Sequence, residues 1–356
     1  MKSAGSIRRS IAVRLICLAL SVILVALPIL TVVIYEAIFC RRYETISWMR
    51  FEVEDFCGLT AERSDFISDG VRLAGYKYSA EGVEPRGLVI VSHGLGGGGH
   101  NSYMPFINCF TSHGYAVFTY DARGNDNSDG NSVGGLPQGV VDLDSAICHV
   151  ESIPEYNGLP IALFGHSWGG YSAGSVLSLH PHVSAVVIIA GFNESEDLLK
   201  YRGDLFTGTD ARLLMPYLKL YERVKFGEKY SSLTAIDGLK KSDAMAMIVH
   251  SLDDTTVPTR YGYDKFFDEF SVLERFDFVL YEDRGHSRLI YSAEADAYLE
   301  EINAAYRAYV EEGGREYSDD VKAEFMSANL DRIRCFEPDP ILMDRIFAML
   351  DECFKQ

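Results

Sequence analysis

Residues 161–174, IALFGHSWGGYSAG, constrain this chain more than any other stretch: a short apolar run, a serine flanked by glycines, and a small-residue segment suited to a helix. The run is too short for a globular helix and too continuous for a strand with one wet face. It reads as a strand covered on both sides. Similar runs occur at residues 87–93, 115–120, 183–189, 244–249 and 276–281. Between them the spacing predicts helices near residues 103–112, 137–152, 169–179, 259–269 and 293–311. Such alternation implies an α/β fold, a mostly parallel central sheet with helices on both faces. A pair of strands around the Asp69-Gly70 turn precedes it.

In parallel sheets, ligands bind beyond the carboxyl ends of the strands. The residues able to carry chemistry fall at such ends. Gly165-His166-Ser167-Trp168-Gly169 places a serine on a tight strand-to-helix turn, where the helix N-terminus favours developing negative charge. A serine hydroxyl needs a base within hydrogen-bond reach. His286 follows the strand at 276–281, beside Gly285 and outside any apolar periodic context, and suits that role. A carboxylate is then required to orient the imidazole. Asp253 and Asp254, just past the strand at 244–249, are both candidates on this reading.

The order serine, aspartate, histidine, with these strand contexts, resembles the α/β-hydrolase superfamily over residues 65–310. It resembles especially the broad branch of serine aminopeptidase-like and monoacylglycerol-lipase-like esterases. That branch carries its acid in a segment like His250-Ser251-Leu252-Asp253-Asp254-Thr255-Thr256-Val257-Pro258, which selects Asp254, although Ser251 stands where glycine is usual. The loop His93-Gly94-Leu95-Gly96 matches the branch's oxyanion loop. The resemblance therefore implies an oxyanion hole from the backbone N–H groups of Leu95 and Trp168, with His93 a structural residue. Asp121-Ala122-Arg123-Gly124 opens a turn that buttresses neighbouring loops in the branch, with Asp126 here in place of a usual glycine. Tyr103, Trp168 and Tyr171 are candidates for lining an acyl pocket.

Three regions lie outside the alternation. Residues 193–242 contain no buried-strand run, and apolar spacing over 213–224 suits an amphipathic helix; this reads as a small helical cap within a hydrolase domain at 51–311. Residues 312–356 read as a surface-packed helical extension, with helices over 319–333 and 340–354. Residues 15–35 hold no formal charge and as a helix would rise about 32 Å, enough for a hydrocarbon layer of roughly 30 Å. They are expected to form a transmembrane anchor, with 1–14 as a cytoplasmic tail and 36–50 as a juxtamembrane link. Lys2, Arg8, Arg9 and Arg14 before the run, against Arg41 and Arg42 after it, orient the large domain outside. The rival reading is a secreted protein after signal cleavage.

A net charge of −18 without a basic patch argues against a nucleic-acid partner. Seven cysteines show no metal-ligand spacing, while a Cys335–Cys353 bond is compatible with an extracellular domain. No metal or organic cofactor is implied. The expected function is a serine hydrolase cleaving carboxylic esters through an acyl-enzyme, acting on a small-molecule ester. The alternatives are a peptidase or amidase acting on a short peptide through the same groups, and a noncatalytic membrane-tethered binding protein on the same fold.

Overall fold

The computed structural model describes residues 4–208 and 210–355, and of residues 4–10, 19, 20, 23 and 207 the backbone alone. In chain order the strands are β1 (Leu59–Arg63), β2 (Phe66–Ser68), β3 (Val71–Leu73), β4 (Gly75–Ala80), β5 (Leu88–Ser92), β6 (Ala116–Tyr120), β7 (Ile161–His166), β8 (Ala185–Ile189), β9 (Met245–Ser251) and β10 (Phe276–Tyr281). The helices are α1 (Ala4–Phe39), α2 (Met104–Ser112), α3 (Leu136–Glu151), α4 (Trp168–Val176), α5 (Ser195–Thr207), α6 (Met215–Ser231), α7 (Ala235–Lys241), α8 (Tyr263–Phe270), α9 (Ala293–Glu312), α10 (Asp319–Asn329), α11 (Arg332–Cys335) and α12 (Pro340–Cys353).

Eight strands form one sheet in the order β1-β4-β6-β5-β7-β8-β9-β10. From β6 to β10 all neighbours are parallel, while β1, β4 and β6 pair antiparallel. Every residue of β5, β6 and β8 is buried, as expected for parallel strands covered on both faces. Alternate side chains feed separate apolar layers: Ile90, Phe118 and Ile188 meet α3, α4 and α8, whereas Val89, Val117 and Val187 meet α2, α9 and α12.

Between β8 and β9, where one amphipathic helix is expected, the chain forms α5, α6 and α7. The helix α5 was hidden by its charge: Ser195–Thr207 has Glu196, Asp197, Lys200, Arg202 and Asp204 around few apolar residues. Leu198 and Leu199 nevertheless bury one side of it.

The two terminal regions are built into the domain. The helix α1 runs past the expected end of the apolar run to Phe39, and Thr31, Tyr35 and Phe39, four residues apart, are buried along one face. Tyr35 donates to Glu222 Oε1 on α6 at 2.8 Å. Farther back, Leu15, Ile16, Leu18, Val22, Leu24 and Val25 are exposed. Among the described residues no helix is long and apolar enough to cross a membrane; positions 19, 20 and 23 of the run, and the side chains of Lys2, Arg8 and Arg9, lie outside them. The expected surface-packed extension at 312–356 instead contributes Met326, Cys335, Phe336, Leu342 and Ile346 to the core. The i, i+4 spacing of Leu342 and Ile346 aims them at one face, and Phe347 meets Phe110 of α2 edge-on at 5.9 Å. All seven cysteines are free, so Cys335 and Cys353 are not bonded to each other.

Candidate active site

The strand β7 ends in a turn that places Ser167 at φ 57°, ψ −113°, a left-handed conformation costing an ordinary residue about 1–3 kcal/mol. The glycines around it are steric requirements. A Cβ on Gly165 would lie 2.2 Å from the carbonyl oxygen of Gly169, and one on Gly169 would lie 2.0 Å from that of Ser92. Strand and helix thus approach too closely for any side chain, and the hydroxyl of Ser167 is pushed out above the sheet edge. Its backbone N–H donates to Ile189 at 2.7 Å, fixing the turn to β8.

His286 and Asp254 arrive from the loops after β10 and β9. His286 Nε2 lies 2.8 Å from Ser167 Oγ, and its Nδ1 lies 2.7 Å from Asp254 Oδ2. The structure therefore brings together the three side chains singled out in the sequence. Asp254 is only 4 % exposed. Burial disfavours its charge, but hydrogen bonds from His250 and His286, the charge of His286 and the N–H of Val257 outweigh that and hold the carboxyl well below its ordinary range. The N–H groups of Thr256 and Val257 donate to its other oxygen at 2.8 and 2.9 Å. Asp253 turns elsewhere, accepting from Ser251 Oγ and the N–H of Gly285 at 2.6 and 2.8 Å. It braces the histidine loop and does not touch the ring.

Beside Ser167, the backbone N–H groups of Leu95 and Trp168 have no acceptor among the described residues. Both residues line the cavity that contains Ser167. Free donors at that position can receive an oxyanion. The neighbouring Gly94 N–H is already committed, donating to Tyr103 Oη at 3.0 Å. The Tyr103 hydroxyl therefore donates to His166 Nδ1, 2.8 Å away, which leaves the His166 Nε2–H to donate to the carbonyl of His286 at 3.1 Å. Burial and the neighbouring His286 ring push His166 down to about 3, so this chain stays neutral. It ties the glycine loop to the histidine loop through the turn. His166 carries no signal in the sequence because it occupies the unspecified second position of the serine motif. His93 is structural: its Nε2 accepts from the N–H of Ala122 at 2.9 Å and its Nδ1–H donates to Gly94 at 2.8 Å.

Residues 83–229 match the family model described as serine aminopeptidase, S33. A caffeoylshikimate esterase of Arabidopsis thaliana is 31% identical over 130 residues, a match spanning 33% of this chain and 39% of that protein. The solved structure of an esterase of Pyrococcus furiosus superposes with a TM-score of 0.53 at 16% identity, covering 76% of this chain and 97% of that one. The chain has the α/β-hydrolase fold, and its residues 83–229 are similar to the serine aminopeptidase family.

In this α/β hydrolase the reactive edge opens into a cavity of about 970 Å³. Trp168 and Tyr103 line it, whereas Tyr171 does not: its ring stacks on Phe192 at 4.6 Å in the core. The Trp168 indole N–H is satisfied by Leu136 at 2.7 Å, leaving its ring to serve as wall. Ile38, Phe39, Trp48 and Met49 from the N-terminal segment also line the cavity, as do Met326 and Phe336 from the C-terminal extension.

The N-terminal segment is held there by Asp126, the residue standing in place of glycine. Its carboxylate, fully buried, accepts from the N–H and hydroxyl of Thr45 at 2.7 and 2.5 Å and from the N–H of Gly99 at 2.9 Å. Arg42 adds hydrogen bonds to the carbonyls of Asp126, Ser128 and Gly130. The hydrolase thus clips residues 42–45 to its glycine loop. The carboxylate does not reach the cavity.

Proposed function

We propose that this chain is a serine hydrolase that cleaves carboxylic esters through an acyl-enzyme. One observation carries the reading: an unbroken hydrogen-bonded line from Ser167 through His286 to Asp254, opening into an apolar cavity. As Ser167 Oγ attacks the ester carbonyl, its proton passes to His286 Nε2, and buried Asp254 stabilises the imidazolium through Nδ1–H. The carbonyl oxygen, now negative, receives the N–H groups of Leu95 and Trp168; each such donor is worth about 3 kcal/mol in the transition state. Collapse expels the alcohol, which takes the proton from His286. Water, deprotonated by His286, then attacks the acyl-serine, and the acid leaves with Ser167 restored.

The match to a serine aminopeptidase model favours a second reading, in which the same groups cleave aminoacyl amides. We also assign the apolar run at 15–35 to a bilayer anchor with the hydrolase domain outside, its last turn, which buries Thr31 and Tyr35, entering that domain. The run's length and its flanking charges support this. Carbonate extraction from membranes should leave the chain in the pellet; release of a shortened chain would mean that the segment is a cleaved signal.

The decisive experiment is a screen of esters and aminoacyl amides with the full chain and with Ser167→Ala. Parent turnover should be lost by at least about four orders of magnitude in the variant. A fluorophosphonate should label the parent alone. Equal turnover in parent and variant would overturn the assignment.

A further inference from the structure

The cavity over Ser167 straddles the sheet. Phe39, Leu136 and Leu198 line it and belong to the apolar layer on the α3/α4 face. Ile290, Met326 and Phe336 line the same cavity and belong to the layer on the α2/α9 face. The strand ends bearing Ser167 lie between the two layers. On one side the wall is completed by the cap helix α5 and the end of α1. On the other it is completed by α10 and the residues following it. Of the charged or amide side chains in the lining, Arg202, Asn303 and Lys322 are exposed or half-exposed and offer water a path to the rims, while the Arg288 guanidinium is tied to the Asp296 carboxylate and the carbonyl of Cys335 at 2.6 and 3.0 Å.

Resting on the ester-hydrolase reading above, we infer that the site is two-armed and that its substrate is an ester of an apolar acid with an apolar alcohol. The carbonyl sits at Ser167, one hydrocarbon group lies against the cap, and the other lies against the C-terminal extension. Burying apolar area contributes roughly 25 cal/mol per Å², and a substrate with one apolar side would leave the opposite arm as wetted hydrocarbon. Segments from both ends of the chain are used to wall these arms, beyond what the reaction itself requires.

The test uses two mirror-image esters, methyl palmitate and cetyl acetate, with the full-length protein in detergent micelles. Leu205→Trp narrows the cap arm and Leu330→Trp narrows the extension arm; the first position is exposed and the second half-buried, so each has room for the larger ring. The readout is the ratio of kcat/KM for the two esters, which is insensitive to a general loss of active protein. The two variants should move that ratio in opposite directions, each by about tenfold. Should a tryptophan variant fail to accumulate, Leu205→Ala and Leu330→Ala widen the arms and should give shifts of reversed sign. Shifts in the same direction, or no shift, would overturn the two-armed site. Turnover that survives Ser167→Ala would instead sink the hydrolase reading itself.

Discussion

At the sheet edge, Ser167, Asp254 and His286 each stand within five residues of the strand before them, and their bonds to one another follow from where those strands end. The walls above that edge are assembled differently. Arg332 reaches back to Asp55 at 2.9 Å and to the carbonyl of Arg50, Tyr35 reaches forward to Glu222, and Asp126 reaches back to Thr45. The three side chains at the edge are placed by local chain geometry, whereas the cavity above them is placed by contacts across most of the chain. On the proposed function, reaction type and substrate preference therefore rest on separable parts of the molecule.

The sharpest test of that separation is the adjacent pair of aspartates. Asp254→Asn should lower kcat by about 10⁴-fold with little loss of stability, because the amide can no longer orient the imidazole or balance its charge. Asp253→Asn should cost less than about tenfold, since Asp253 holds Ser251 and Gly285 and not the ring. Steady-state kinetics on a short-chain ester measures both. Similar losses in the two variants would mean that the histidine loop, and not the carboxylate on the ring, governs the reaction.

This division explains what could be read from the amino acids. Buried parallel strands announce themselves as short apolar runs, so all six expected strands end within two residues of their observed ends. The largest differences are at β7 and β9, where the runs ending at residues 164 and 249 each continue two residues, to His166 and Ser251. Ser167 and His286 follow from turn chemistry at those ends. The acid was ambiguous between neighbours until the resemblance selected Asp254, and the structure separates the two by which way each carboxylate turns. The walls were not legible. Charged α5 gives little apolar signal, and an amphipathic helix such as α12 announces a buried face without saying what it meets. Asp126 stood out only as a departure from a pattern, and its partners Thr45 and Gly99 could not be named from spacing.

A middle-sized effect is expected at that clip. Asp126→Gly restores the usual residue and relieves the backbone at φ 32°, yet removes a buried acceptor of bonds from Thr45 and Gly99. Loss of the bonds should dominate, lowering stability by roughly 1–3 kcal/mol. Limited proteolysis should cut residues 40–50 faster in the variant while Ser167 still accepts a fluorophosphonate. An unchanged cleavage rate would show that the N-terminal wall stands without its clip.

The smallest effect separates the wall from the edge by pH. Glu222 is 3 % exposed, and burial pushes its carboxyl from 4.5 up to about 7 despite donors from Ser195 and Tyr35. A raised carboxyl binds its proton more tightly in the folded chain than in the unfolded one. That contribution to stability is complete below 4.5 and is lost as the pH rises through about 7. Glu222→Gln keeps the shape and an acceptor for both hydroxyls but removes the titration. Relative to this variant, the parent should lose roughly 1 kcal/mol between about pH 6 and about pH 8, read as a falling difference in Tm. The chemistry at Ser167 shares no hydrogen bond with Glu222, so labelling by a fluorophosphonate should follow the same pH profile in both proteins. A constant difference in Tm would mean that Glu222 remains charged in the fold, with Tyr35 and Ser195 compensating its burial.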